Sequence, residues 1–314
     1  MINRHVIYFA IAVCAIGNTA AWAEREPGIT DRVEKSFPAK PGGLLTFESN
    51  IASAHIETAN TDRVRVEIER TARVATQAEA DELLKKLSLE MVPENAGVRI
   101  TALGPEERNW RGGSRLHLKA RITIPRKFNV ELRTVGSSSV ADLDGTAKLA
   151  TSGGSLKVGN VSGPVTAKSG GGSITIGDVG GDLEARSGGG SIKTGRVAGR
   201  VIANAGGGSI TIAEATDAIE ATAQGGSVSA YISKQPRSAC KLIANAGSVD
   251  LRLADTAAMT VDAECSAGRI KSDFAVQSSG TASSGRLKGD IAGGGPALVL
   301  RAAAGSINLR KEAP

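Results

Sequence analysis

The residues able to do chemistry in this chain are few, and each stops short of a working pattern. Gly190-Ser191-Ile192-Lys193-Thr194-Gly195 has the glycine spacing of a phosphate-binding loop. Such a loop needs Lys-Ser or Lys-Thr directly after its second glycine, to reach the phosphates and a magnesium ion, and Arg196-Val197 stands there instead. Asp178 and Asp182 bring to mind the carboxylates of calcium-binding β-rolls, but the Gly-Gly-x-Gly-x-Asp order is missing and the equivalent positions one repeat on hold Arg196 and Arg200. His55 and His117 belong neither to a metal-spaced pair nor to a visible nucleophile triad. The expectation is a chain with no catalytic residue, no cofactor and no metal site.

What remains is charge placed for binding. Trp110 lies among Arg108, Arg111 and Arg115 in the polar loop from Gly104 to Arg115, where it could stack on a sugar or meet an anionic headgroup. The plain alternative is a tryptophan folded onto its own loop with solvated arginines. Lys157, Thr175, Lys193, Thr211 and Ser229 recur at equal spacing, and Lys168 and Arg186 form a second such series. Taken singly these are ordinary solvating side chains. Together they offer many weak contacts to one extended partner.

An internal repeat positions them. Gly-Gly-Ser occurs with its serine at Ser155, Ser173, Ser191, Ser209 and Ser227, a step of 18 residues each time. Leu156, Ile174, Ile192, Ile210 and Val228 follow those serines, and Leu143, Val161, Val179 and Val197 keep the same step. A further column reads Ala147, Val165, Leu183, Val201 and Ile219. Gly247-Ser248, Gly268-Arg269, Gly285-Arg286 and Gly305-Ser306 are expected to mark four later coils, with an insertion near Lys234-Gln235-Pro236 lengthening one step.

Within each repeat apolar residues alternate, as in Val165-Thr166-Ala167 and Ile174-Thr175-Ile176, the period of half-buried strands. One repeat cannot bury a face alone, so successive repeats must stack. The expected fold class is therefore all-β: a parallel β-solenoid of ~18-residue coils. A left-handed hexapeptide solenoid needs an aliphatic residue every six positions, whereas the steps from Val161 give Ala167 and Ser173. The missing sub-period points to a right-handed β-helix. The same alignment puts Cys240 and Cys265 in columns four residues apart, roughly 13 Å along a strand. A disulfide needs Cα atoms within ~7 Å, so both are expected as small buried thiols.

Residues 1–23 read as a signal peptide, with Arg4 and His5 ahead of the apolar run Val6 to Ile16 and a small-x-small cleavage site at Ala21-Trp22-Ala23, so that Glu24 begins the mature chain. The apolar run is too short to span a bilayer, and no later one approaches that length, so no transmembrane segment is expected after signal removal. Residues 24–135 are expected to form N-terminal strands, among them Leu44–Phe47, Val64–Ile68 and Leu116–Ile122, with a capping helix at about 76–87 that could cover an open edge. Thr76-Gln77-Ala78-Glu79 supplies its capping box, and Ala80, Leu83, Leu84 and Leu87 its apolar stripe. Residues 136–314 are the solenoid repeats.

Composition agrees with this. Aromatic residues are 3% of the 314, so Val, Ile, Leu and Ala must fill the interior. The 39 glycines lack collagen spacing, and beside 41% hydrophobic residues they mean tight turns rather than disorder. The net charge of +6 is dispersed without the basic clusters and interleaved aromatics of a nucleic-acid reader, so no nucleic-acid partner is expected.

The run Gly-Gly-Gly-Ser-Ile-Thr-Ile-Gly-Asp-Val-Gly-Gly-Asp-Leu-Glu-Ala, Gly170 to Ala185, together with the opening Phe37-Pro38-Ala39-Lys40-Pro41-Gly42-Gly43-Leu44, resembles the bacterial putative adhesin domains of unknown function. The resemblance spans about residue 40 to the C-terminus. It implies a β-solenoid associated with the cell envelope, periplasmic or at the surface, and carries over no functional residue. The expected function is a non-enzymatic, adhesin-like scaffold or binding surface whose partner is an envelope protein or a glycan. The alternatives are a polysaccharide-acting β-helix enzyme, which would need a carboxylate, lysine and arginine cluster breaking the repeat, and a self-assembling envelope scaffold.

Overall fold

A computed structural model describes residues 28–105, 115–278 and 285–312. The described residues are almost all-β, with their strands divided between sheet I, of 13 strands, and sheet II, of 14. Each repeat gives one strand to each sheet. Val165–Ser169 lies in sheet II and pairs in parallel with Leu183–Ser187, in the register Val165↔Leu183. Ile174–Ile176 lies in sheet I and pairs with Ile192–Val197, in the register Ile174↔Ile192. Both registers match the 18-residue step of the sequence. Leu143, Val161, Val179 and Val197 are buried and joined by isolated parallel bridges, a third line of contact between the two strands of each repeat.

Alternation does the sorting. Val165, Ala167 and Ser169 are buried while Lys168 is exposed, and Ile174 and Ile176 are buried while Thr175 is exposed. The repeats bury aliphatic side chains of moderate size. The buried phenylalanines Phe37, Phe47, Phe128 and Phe274 all lie outside the 18-residue repeats, towards the two ends of the sheets. At about 25 cal/mol per Å² of apolar surface, a buried Val, Leu or Ile side chain contributes roughly 1.5–3 kcal/mol.

The glycine-serine corners are stitched by hydrogen bonds. Ser169 Oγ donates to Gly154 O of the preceding repeat at 2.8 Å and accepts the Gly172 amide at 2.9 Å. The Gly-Gly-Ser serines form another ladder, in which Ser191 N–H donates to Ser173 Oγ at 3.3 Å and Ser209 N–H to Ser191 Oγ at 3.2 Å. Asp178 Oδ1 and Asp182 Oδ1 accept the amides of Arg196 and Arg200 at 2.8 and 2.9 Å. The glycines are required by close approach: a Cβ on Gly190 would lie 2.4 Å from Ser173 N of the neighbouring repeat.

Chain order and spatial order part company at both ends. Leu44–Ser49 pairs with Asn129–Thr134 on one side and with Gly97–Leu103 on the other, so a later segment lies outside an earlier one. At the far end Ala297–Ala302 is inserted between Cys240–Ala244 and Met259–Cys265. Gly247, Gly268 and Gly305 do form corners between paired strands, but Gly285-Arg286 does not. There Arg286–Ile291 runs antiparallel to Met259–Cys265, because the chain must turn back before inserting its last repeat.

The helix runs Gln77–Lys85, with Thr76 as N-cap accepting the Glu79 amide and Ala80 and Leu83 buried. It connects Arg63–Ala72 of sheet I to Ser88–Glu94 of sheet II. The sheet edges at this end are occupied by antiparallel strands: Ile29–Pro38 on sheet I and Ser88–Glu94 on sheet II. Pro38, Pro93 and the charged Arg32, Glu34 and Lys35 on these strands oppose further strand addition. Cys240 and Cys265 are buried free thiols. Cys240 pairs in register with Leu298 and Cys265 with Ala302, which keeps them in separate columns. Burial raises the Cys240 thiol pKa.

Candidate functional site

The two charged series fall on different sheets. Lys168 and Arg186 stand on sheet II in the column Arg133, Ala150, Lys168, Arg186, Asn204, Thr222. A groove of about 760 Å³ follows this column, lined among others by Val135, Ser152 and Gln224. Its charges are internally matched. Glu184 Oε1 lies 3.2 Å from Lys168 Nζ and 2.9 Å from Arg186 Nε, and the hydrogen bond from Lys168 holds the Glu184 carboxyl below its usual range.

Lys157 and Lys193 stand on sheet I, in the column His55, Ser139, Lys157, Thr175, Lys193, Thr211. Both lysines are exposed, and neither makes an ion pair among the described residues. Ser229 and Asp250 continue the column. At its other end lies a trough of about 380 Å³ lined by His55, Ser139 and Lys157 and by both cations and carboxylates, among them Lys119, Arg121, Glu67 and Glu69, with Lys119 paired to Glu69 and Arg121 to Glu57. Alternation aims these side chains outward: His55, Lys157 and Lys193 are each flanked by buried neighbours on their own strand.

The sequence reading missed the place of His55 and Ser139 in this column. Their separation of 84 residues hides the contact. Ala54-His55-Ile56 nevertheless shares the buried-exposed-buried phase of Leu156-Lys157-Val158, and Ser139 is half-buried between the buried Ser138 and Val140; that alternation is the signal that could have found them. The Ser139 hydroxyl bonds His55 Nδ1, and Glu57 Oε1 lies 3.0 Å from His55 Nε2. This trio holds the imidazole in place. Ser139 lies within a strand paired on both sides, so its backbone has no spare amides for an oxyanion, and the His55 and Glu57 side chains are about half exposed.

Among the described residues no group of His, Cys, Asp and Glu is placed to hold a metal ion. Asp178 and Asp182 cap backbone amides instead. No described helix is long and apolar enough to cross a membrane. Ala23, Glu24, Arg108, Trp110 and Arg111 lie outside the described residues.

Comparison with known proteins finds no matching family model and no matching curated relative. Solved structures similar to this chain include a "putative adhesin" from Bacteroides fragilis, 11% identical, covering 90% of this chain and 97% of the other with a TM-score of 0.38. Another is a "putative adhesin" from Parabacteroides merdae, 9% identical, covering 89% and 96% with a TM-score of 0.35. A "putative lipid binding protein" from Parabacteroides distasonis is 12% identical, covering 90% and 96% with a TM-score of 0.36. Two of these three structures carry the name adhesin.

Proposed function

We propose that this chain is an exported, non-enzymatic binding scaffold of the cell envelope, wound as a right-handed parallel β-solenoid, with residues 24–135 capping the repeats of 136–314. The in-register pairing of both strands of each repeat at an 18-residue step supports the winding. The N-terminal apolar run and its Ala23/Glu24 cleavage site support export.

One observation carries the binding role. Sheet I presents an outward column that repeats once per strand, about every 4.8 Å, with two lysines left free of ion pairs. A repeating surface of this kind suits an extended partner through many weak contacts. The antiparallel strands on the N-terminal sheet edges, with their prolines and charges, weigh against unlimited head-to-tail assembly.

The test is co-sedimentation of the purified mature protein with isolated envelope fractions, alongside mass spectrometry of the protein from its native host. Saturable, salt-sensitive retention on the envelope is expected, and Glu24 as the first residue. A retained Met1, or robust turnover of an envelope glycan, would overturn the reading.

A further inference from the structure

The sheet I column alternates in chemistry as well as in space. His55, Lys157 and Lys193 occupy every second row, and Ser139, Thr175 and Thr211 the rows between. Rows in a sheet are ~4.8 Å apart, so Lys157 and Lys193 stand roughly 9.6 Å apart and the six rows span roughly 24 Å. That separation of the two lysines is about the length of one disaccharide in an extended glycan.

The columns on either side clear a lane for such a chain. Two positions before the lysines and threonines run Ser155, Ser173, Ser191 and Ser209; two positions after them run Gly159, Gly177, Gly195 and Ala213. In the rows from Ser139 to Thr211 these three columns contain no carboxylate. The serine hydroxyls are also set to donate. Ser173 Oγ and Ser191 Oγ each accept the amide of the next serine, which leaves their hydrogens for an outside acceptor. On the opposite sheet Lys168 and Arg186 are already engaged by Glu184.

We propose that this lane binds an unbranched acidic polysaccharide carrying one anionic group per disaccharide, laid across the strands of sheet I. Its anions meet Lys157 and Lys193, and its hydroxyls meet the serine column and Thr175. The glycines opposite the serines keep the lane free of side chains on that side, so sugar rings can lie close to the backbone. This assignment rests on the binding role proposed above and narrows it to one face and one ligand class.

Binding is measured with the mature chain against hyaluronan, which has one carboxylate per disaccharide, and against polygalacturonate, poly-L-glutamate and neutral dextran. Hyaluronan is expected to bind best and dextran not at all. Lys157→Gln with Lys193→Gln should weaken hyaluronan binding by roughly tenfold or more, as should 0.5 M salt, where screening acts within about 4 Å. Lys168→Gln with Arg186→Gln should leave it unchanged. Equal binding to polygalacturonate or poly-L-glutamate would overturn the one-per-disaccharide match, and equal loss from the Lys168 and Arg186 changes would overturn the choice of face. Retention on envelope fractions without binding to any acidic polysaccharide would sink the lane and spare the scaffold role; failure of both would sink both. All four changes lie on exposed positions, and unchanged melting curves confirm that folding is intact.

Discussion

Ser187 Oγ accepts the Gly190 amide at 2.9 Å within its own repeat and donates to Gly172 O of the preceding repeat, also at 2.9 Å. One buried hydroxyl thus satisfies a corner amide and ties two repeats together. Ser187→Ala leaves the half-buried Gly190 amide and Gly172 carbonyl without their partner, so a loss of about 1–2 kcal/mol is expected in chemical denaturation. The exposed Thr175→Val, by contrast, should be close to neutral. Equal midpoints for the two variants would refute the stitching role.

Glycine columns should differ in their tolerance of a side chain. A Cβ on Gly190 meets backbone at 2.4 Å and one on Gly189 at 2.8 Å, whereas one on Gly153 meets only Val135 O at 3.6 Å. Gly190→Val is expected to cost about 3 kcal/mol or more and Gly189→Val a comparable few. Gly153→Ala should be within about 0.5 kcal/mol of neutral. Thermal melts rank them, and a destabilised Gly153→Ala beside an unaffected Gly190→Val would reverse the argument.

Asp217 anchors the insertion that lengthens one repeat. Burial pushes its carboxyl upward, but the Arg237 and Ala218 amides and the Arg237 guanidinium outweigh burial and hold its pKa below the usual carboxylate value. A depressed folded pKa gives stability that is present above the unfolded value of ~3.9 and lost as pH falls through the folded one. Asp217→Asn should therefore destabilise the protein at neutral pH by about 2 kcal/mol and flatten the acid limb of its stability profile. An unchanged acid limb would show that the carboxylate contributes nothing there.

Much of this protein was determined by its sequence alone. The 18-residue step dictated which residues stack, since equivalent positions such as Val165 and Leu183 must pair for their apolar faces to be covered. Period-two alternation dictated that Lys157 and Lys193 face outward while Leu156 and Ile192 face inward. Column alignment likewise kept Cys240 and Cys265 apart.

Tertiary structure decided what local pattern cannot encode. The insertion of Ala297–Ala302 between two earlier strands, and the antiparallel course of Arg286–Ile291, depend on which distant edge is free when the chain returns. The division of the charged series between two sheets depends on where each corner turns. Only the fold pairs Lys168 and Arg186 with Glu184 and leaves Lys157 and Lys193 free. It also brings His55 into line with them across 84 residues of chain from Ser139, because side-chain period fixes a residue's face while only strand pairing fixes its neighbours.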